Sequence, residues 1–302
     1  MRGAKTHRVA NLKIVVLALV IPVLAAAAQV AEEPAGPTGE QLQAFAGRVY
    51  EAWKAGTPMP QLSVALPDAS LADAYAIQKQ FVAQALANDA VGGFKAAVVG
   101  SGGQKGLGID GPLTGVVPAS GVLYAADKII VDLADDPKRA VESEIGYIFG
   151  KTIAEPLPNV DQLKEHVKHV APVIEVPGGA TENKQPATAC DLVVWNINAK
   201  AIIVGAGHDP SGINPDTIEI TLTHDGETVN TAKGDQAAGG QWTTLLKTVN
   251  CIVRQGYTIE PGHVITNGAL GRIVRAEAGQ YQADYGLLGI VAFEVRDTRG
   301  AQ

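Results

Sequence analysis

Three glutamates constrain this chain more tightly than any other feature. Glu142-Ser143-Glu144-Ile145-Gly146-Tyr147-Ile148 has the pattern of a strand. Alternate residues of a strand share one face, so Glu142 and Glu144 point the same way. Like charges side by side on one sheet face are destabilising unless something neutralises them. A solvated outer face is one resolution, because glutamate is mostly found at surfaces. Glu175 argues for another. It sits inside Ala171-Pro-Val-Ile-Glu-Val-Pro177, a run that is apolar everywhere else, and a carboxylate there is not buried without a partner. Hard divalent cations favour carboxylate oxygens, and three carboxylates plus waters make the open octahedral site typical of Mg²⁺.

Composition narrows the setting. The 302 residues are 46% hydrophobic and 18% charged, too apolar for a disordered chain. Two cysteines exclude a disulfide-stapled scaffold. A formal charge of −7 argues against a nucleic-acid surface, which needs clustered Lys and Arg. The N-terminus carries Arg2, Lys5, Arg8 and Lys13, then the apolar run Ile14–Leu24, then Ala25–Ala28. A basic head, a short apolar middle and a small-residue exit describe a secretory leader, with cleavage expected after Ala28. The run is shorter than the roughly 20 residues that span a bilayer, so no stable membrane insertion is expected after cleavage. Loss of the four basic residues takes the formal charge from −7 to −11. The expected location is periplasmic or secreted. Cys190, in an apparent loop, and Cys251, on an apparent helix, read as two separate buried thiols.

Residues 29–39 read as a flexible stretch, and 41–55 and 70–87 as helices, the second opened by a Ser70…Asp73 cap. After Gly92 the chain turns β-rich. Strands are expected at 94–99, 115–117, 121–124, 128–133, 142–149, 171–176, 193–204, 217–223, 228–230, 264–266 and 289–295. Asp225-Gly226 marks a hairpin. Gly100-Ser-Gly-Gly103 reads as a loop, 160–170 as a helix behind Asn159, and 242–254 as a helix stopped by Gly256. The expected parts are a leader at 1–28, a helical N-terminal part at 29–91 and a β-rich domain at 92–302. That order implies an α+β fold built on a sheet sandwich or roll. His166 and His169, three apart on the expected helix, read as a solvated face because Lys164, Glu165 and Lys168 surround them. Ser101 lacks a Gly-x-Ser-x-Gly setting, against a serine hydrolase.

Several motifs fall in order along the chain. They are Asp73-Ala-Tyr-Ala-Ile-Gln78; Lys95 followed by Gln104, Gly108 and Gly115; Glu142-x-Glu144; Glu175; Asn196, nine residues before Gly205; and Gly239, Asn250, Gly256, Gly262, Gly268 and Gly289. On these the chain, from about Leu62 to Val295, resembles the fumarylacetoacetate hydrolase superfamily, in its 2-keto-4-pentenoate hydratase / 4-oxalocrotonate decarboxylase branch. The resemblance implies a fumarylacetoacetate hydrolase-like sandwich or roll body with a small helical N-terminal part. It implies a Mg²⁺ or Mn²⁺ ion on Glu142, Glu144 and Glu175, binding a small 2-keto acid and stabilising its enolate as a Lewis acid. Lys95 and Asp110 are then the expected catalytic residues, and Ser101, Gln104 and Asn196 the expected substrate contacts. Homo-oligomers are implied too. The expected reaction is water addition to a conjugated double bond. Decarboxylation, and C–C hydrolysis of an acylpyruvate, are alternatives on the same metal. A ligand-binding paralogue without turnover is a third reading. It draws on departures from the branch pattern: Ala97-Val-Val-Gly100 where the branch has Gly-x-Thr-Ser, Pro112-Leu-Thr114 where it has an Asp, Val176-Pro-Gly-Gly179 where it has Asp-Ser-Arg, and Trp195 where an Asp precedes the Asn.

Overall fold

Each secondary element starts where its sequence allows. The computed structural model describes residues 36–300 except 127, 135, 137 and 138; the expected leader, 1–28, lies outside them. Helix α1 (Gly39–Lys54) opens on a capping box between Thr38 and Gln41. A short α2 (Leu62–Ala65) follows. Helix α3 (Leu71–Ala85) opens on the expected Ser70–Asp73 box, whose reciprocal bonds satisfy two N–H groups that would otherwise lack partners. Then come β1 (Val91–Ala97), α4 (Ser101–Leu107), β2 (Leu113–Pro118), β3 (Val122–Tyr124), β4 (Ile130–Asp132), β5 (Ala140–Phe149), α5 (Val160–Lys164), β6 (Val167–Val176), α6 (Ala189–Val194), β7 (Ala201–Val204), β8 (Glu219–His224), β9 (Glu227–Lys233), α7 (Gln241–Arg254), β10 (Val264–Thr266), β11 (Leu270–Arg275), β12 (Gly279–Asp284) and β13 (Ile290–Arg296).

The fold class is α+β, as expected. Among the described residues the strands form two sheets. One has eight strands in the order β2-β1-β10-β5-β6-β7-β3, with β11 also paired to β5. The other has five, in the order β4-β13-β12-β8-β9. In the larger sheet the register puts Phe94, Val116, Ile265, Tyr147, Ile174 and Ile203 on one face. They join α1, α3 and α7 side chains such as Phe45, Ile77 and Leu245 in one buried cluster. The opposite face carries a second apolar cluster of Val117, Ala171, Val173, Ile202, Val204 and Val264. Both faces are therefore dry, and a charge on either needs a partner. No helix among the described residues is long and apolar enough to cross a membrane.

Several stretches differ from their sequence reading. The expected helix 160–170 ends at Lys164, and Val167 already begins β6. Val160, Leu163, Val167 and Val170 fit helical spacing, but pairing with β5 along 167–175 overrides that local pattern. His166 and His169 therefore share no helix. His166 lies in the connection, with Nδ1 2.8 Å from the Gln162 carbonyl, and His169 lies on β6. The expected strand 193–204 is helix α6, a turn and the short β7. Helix α6 is started by a Thr188–Asp191 capping box, which also moves Cys190 from a loop onto a helix. Gly100–Gly103 is not a loop throughout, since Ser101 begins α4. Strands β11 and β12 carry no clear strand signal in the sequence, because Gly, Arg and Gln interrupt their apolar pattern. Cys190 and Cys251 are both free thiols, each partly buried rather than buried as expected.

Candidate active site

The hydrogen-bonding register of the large sheet assembles the three glutamates. Glu142 and Glu175 are direct cross-strand partners on β5 and β6, and Glu144 lies two residues along β5, opposite Val173. Lys95 on β1 is opposite both Gly115 and Thr266, and Thr266 is opposite Gly146. All these positions lie on the face of the second apolar cluster. One carboxylate oxygen from each glutamate lies within 4.8 Å of the other two. Relative exposure is 9% for Glu142, 0% for Glu144, 1% for Glu175 and 3% for Lys95.

Charge decides what this arrangement can do. Lys95 Nζ pairs directly with Glu175 Oε1, and donates at 3.2 Å to the Ile197 carbonyl. Glu144 Oε2 accepts the Gly268 N–H at 2.8 Å. Glu144 Oε1 and Glu175 Oε2 receive no hydrogen bond. One ammonium against three carboxylates leaves two negative charges uncompensated in a dry region, which is strongly unfavourable. Protonation is one relief. Burial pushes Glu142 up to about 7, with Glu175 adding to the shift and Lys95 opposing it. Burial pushes Glu144 up to about 7 against Lys95, and Glu175 up to about 8 against the same ammonium. Burial acts to lower Lys95, but Glu175, Glu142 and Glu144 outweigh it and raise it. A divalent cation is the other relief. It matches both the charge deficit and the oxygen-only donor set, and the two donor-less oxygens are atoms it would use.

The remaining candidates are distributed differently. Ser101 is exposed at the first residue of α4, and Asp110 is exposed in the bend after it. Gln104 turns inward and donates to the Val98 carbonyl at 3.0 Å. The Asn196 amide is spent on β2, where Oδ1 accepts the Val116 N–H at 2.7 Å and Nδ2 donates to the Val116 carbonyl at 2.8 Å. Val99 lies against the residue that caps Glu144; a Cβ on Gly268 would sit 2.7 Å from Val99 Cγ1. Sequence alone marks Gly268 as one of the ordered glycines but gives it no role at the site, and it does not mark Thr266 or Ile197. The end of the apolar Val264-Ile-Thr strand is the signal from which the first two could be found. A backbone carbonyl such as that of Ile197 leaves no side-chain signal.

Backbone strain gathers around Lys95. Val98 has φ +57°, and Asn196, Ile197 and Asn198 have φ +51°, +52° and +54°. A left-handed conformation costs roughly 1–2 kcal/mol for an ordinary residue, less for Asn and most for a β-branched side chain.

No family model matches the chain. The chain is 27% identical over 248 residues to the 2-keto-4-pentenoate hydratase of Paraburkholderia xenovorans, covering 80% of this chain and 90% of that one. The same figures hold for 2-keto-4-pentenoate hydratase 3 of Pseudomonas putida. The resemblance to the 2-keto-4-pentenoate hydratase branch is borne out. Among solved structures, 4-oxalocrotonate decarboxylase from Pseudomonas putida, complexed with magnesium and adipate, matches with a TM-score of 0.79 at 20% identity, over 86% of this chain and 99% of that one. Fumarylpyruvate hydrolase from Pseudomonas aeruginosa, in complex with Mn²⁺ and pyruvate, matches with a TM-score of 0.52 at 18% identity, over 67% and 88%. These likenesses show a fumarylacetoacetate hydrolase-like fold.

Proposed function

We propose that this chain is an exported, divalent-cation-dependent hydro-lyase of the 2-keto-4-pentenoate hydratase type, acting on a small 2-keto acid. The observation that carries the reading is the buried trio of carboxylates with one ammonium, Lys95, paired to it. Its named relatives point to the same class of reaction. Glu142, Glu144 and Glu175 would hold Mg²⁺ or Mn²⁺, which supplies Lewis-acid polarisation of an oxo group. Lys95 Nζ, at the edge of the trio, holds a proton where a carbon next to that oxo group gains or loses one. The aliphatic wall of Val173, Ile202 and Val204 excludes water and strengthens each charge interaction within it. Export rests on the leader pattern of residues 1–28, and homo-oligomers are part of the same reading.

A second reading has its own observation. The exposed Asp110, with Val99 and Gly100 standing where the branch pattern has hydroxyls, favours a paralogue that binds a 2-keto acid and metal without turnover. Ultraviolet monitoring of 2-hydroxypenta-2,4-dienoate separates the two. The hydratase reading expects absorbance loss with protein and Mg²⁺ together, and none with Mg²⁺ alone or with Glu144→Gln. Metal binding with no absorbance loss selects the binding paralogue.

A further inference from the structure

We propose that the left-handed turn Asn196–Asn198 is a positioning device for Lys95, its Ile197 carbonyl being a second acceptor that keeps the ammonium at the edge of the site when a divalent cation takes Glu175. This rests on the metal reading above.

The starting observation is the strain. Three consecutive non-glycine residues have positive φ, among them the β-branched Ile197. Such conformations persist only where the surroundings over-determine them, and here they do. The Asn196 amide grips both backbone groups of Val116. The Asn198 carbonyl accepts the Gly178 N–H at 2.9 Å, and the Asn198 N–H donates to the Trp195 carbonyl at 3.0 Å. Trp195 is itself anchored by its indole N–H to the Pro60 carbonyl at 2.9 Å. Even β2 makes room, because a Cβ on Gly115 would lie 2.5 Å from the Asn196 carbonyl oxygen.

What this scaffold delivers is one carbonyl, that of Ile197, 3.2 Å from Lys95 Nζ. An ammonium has three donors and no acceptor. Without that carbonyl, the partner shown for Lys95 is Glu175, a carboxylate that a divalent cation also needs. Lys95 and the cation then compete for the same oxygens. With it, the ammonium retains a neutral partner that the cation does not claim. Asn196 is thereby a positioning residue rather than a substrate contact.

The test is calorimetric titration of Mg²⁺, and separately Mn²⁺, into the metal-free full chain, for the wild type, Asn196→Ala, Lys95→Met and the double variant. Asn196→Ala is expected to weaken binding about tenfold, the scale on which groups supporting metal ligands act. In the Lys95→Met background the same change is expected to move affinity less than about twofold, the additivity limit for uncoupled sites. Equal weakening in both backgrounds makes the turn merely structural and overturns the proposal. If Asn196→Ala fails to fold, Ile197→Gly serves, since it permits the same φ and keeps the carbonyl but frees the turn. It is expected to weaken binding in the Lys95 background only, and unchanged affinity overturns the proposal. Wild type that binds neither ion overturns the metal reading and this one with it; wild-type binding without the coupling overturns this one alone.

Discussion

The two sheets treat polar residues in opposite ways. In the five-stranded sheet, β8, β12 and β13 alternate between exposed and buried positions, so each charge has water on one side. In the eight-stranded sheet, β5 and β6 are buried almost end to end. Glu219 begins β8 in solvent, while Glu142 on β5 is almost fully buried and Glu144 wholly so. A glutamate in the first sheet needs no explanation. In the second, only a compensating charge makes it tolerable, and compensation there creates chemistry.

The largest test of this contrast moves a carboxylate into the wrong place. Val291 is wholly buried on β13 and its neighbour Ile290 is 53% exposed. Val291→Glu buries a charge with no partner and is expected to lower stability by about 4 kcal/mol or more. Ile290→Glu, one residue away on the outer face, is expected to stay within about 0.5 kcal/mol. Urea unfolding midpoints measure both. Comparable effects would erase the distinction between the faces.

The second test removes a charge the large sheet keeps. Glu144→Gln is expected to lower metal-dependent turnover at least about 100-fold, roughly 2.7 kcal/mol in transition-state terms. Without metal, the same change relieves like-charge crowding and is expected to leave stability unchanged or raised, as is common when a functional site is simplified. Loss of both activity and metal-free stability would recast Glu144 as a structural residue.

The parts of this site that were legible in sequence are those written in side chains. Glu142-x-Glu144 announces a shared strand face, and Glu175 announces a conflict with its apolar neighbours. The Ser70–Asp73 box and the stop at Gly256 likewise declare their helices locally. What was illegible depends on partners distant in sequence. Val193-Val194-Trp195 fits a buried strand or a buried helix equally well by pattern; the Thr188–Asp191 box, readable in principle, decides for helix. Asn196 and Asn198 tolerate left-handed geometry, but nothing local imposes it on Ile197, and the grip that fixes the turn is on Val116 of β2. Helix α4 contains three glycines and buries no residue, so propensity argues against it.

A third test uses pH. In the metal-free protein Glu142 and Glu144 lie at about 7 and Glu175 at about 8, against an ordinary 4.5. Raised carboxylates mean that the native state binds protons the unfolded state has released. Their contribution is present in full below about 4.5 and is lost as pH rises through about 7–8. The metal-free chain is therefore expected to be less stable at pH 8.5 than at pH 5.5, by on the order of 2 kcal/mol. Saturating Mg²⁺, which needs the ionised form, is expected to stabilise it more at the higher pH. Thermal unfolding at both pH values checks the sign, and metal-free stability rising with pH would contradict the buried-charge account.

The smallest effect is expected in the sheet that carries no chemistry. The β8–β9 hairpin turns on Asp225 and Gly226, with φ +48° and +86°, the two positive values of a type I′ turn. Gly226→Ala puts a side chain where only glycine is at ease, for a cost of about 1 kcal/mol, and a fall in melting temperature of about 2–4 °C. Mg²⁺ affinity is expected to stay within about twofold of wild type, because the turn shares no partner with the carboxylates. The same kind of conformation, left-handed backbone, thus has two meanings in one chain. At Asp225-Gly226 it satisfies the geometry of a tight turn with residues suited to it. At Asn196–Asn198 it forces an isoleucine into strain to aim one carbonyl. A change in Mg²⁺ affinity on substituting Gly226 would mean that the two sheets are energetically coupled, and that strain at the site is shared across the molecule rather than held locally.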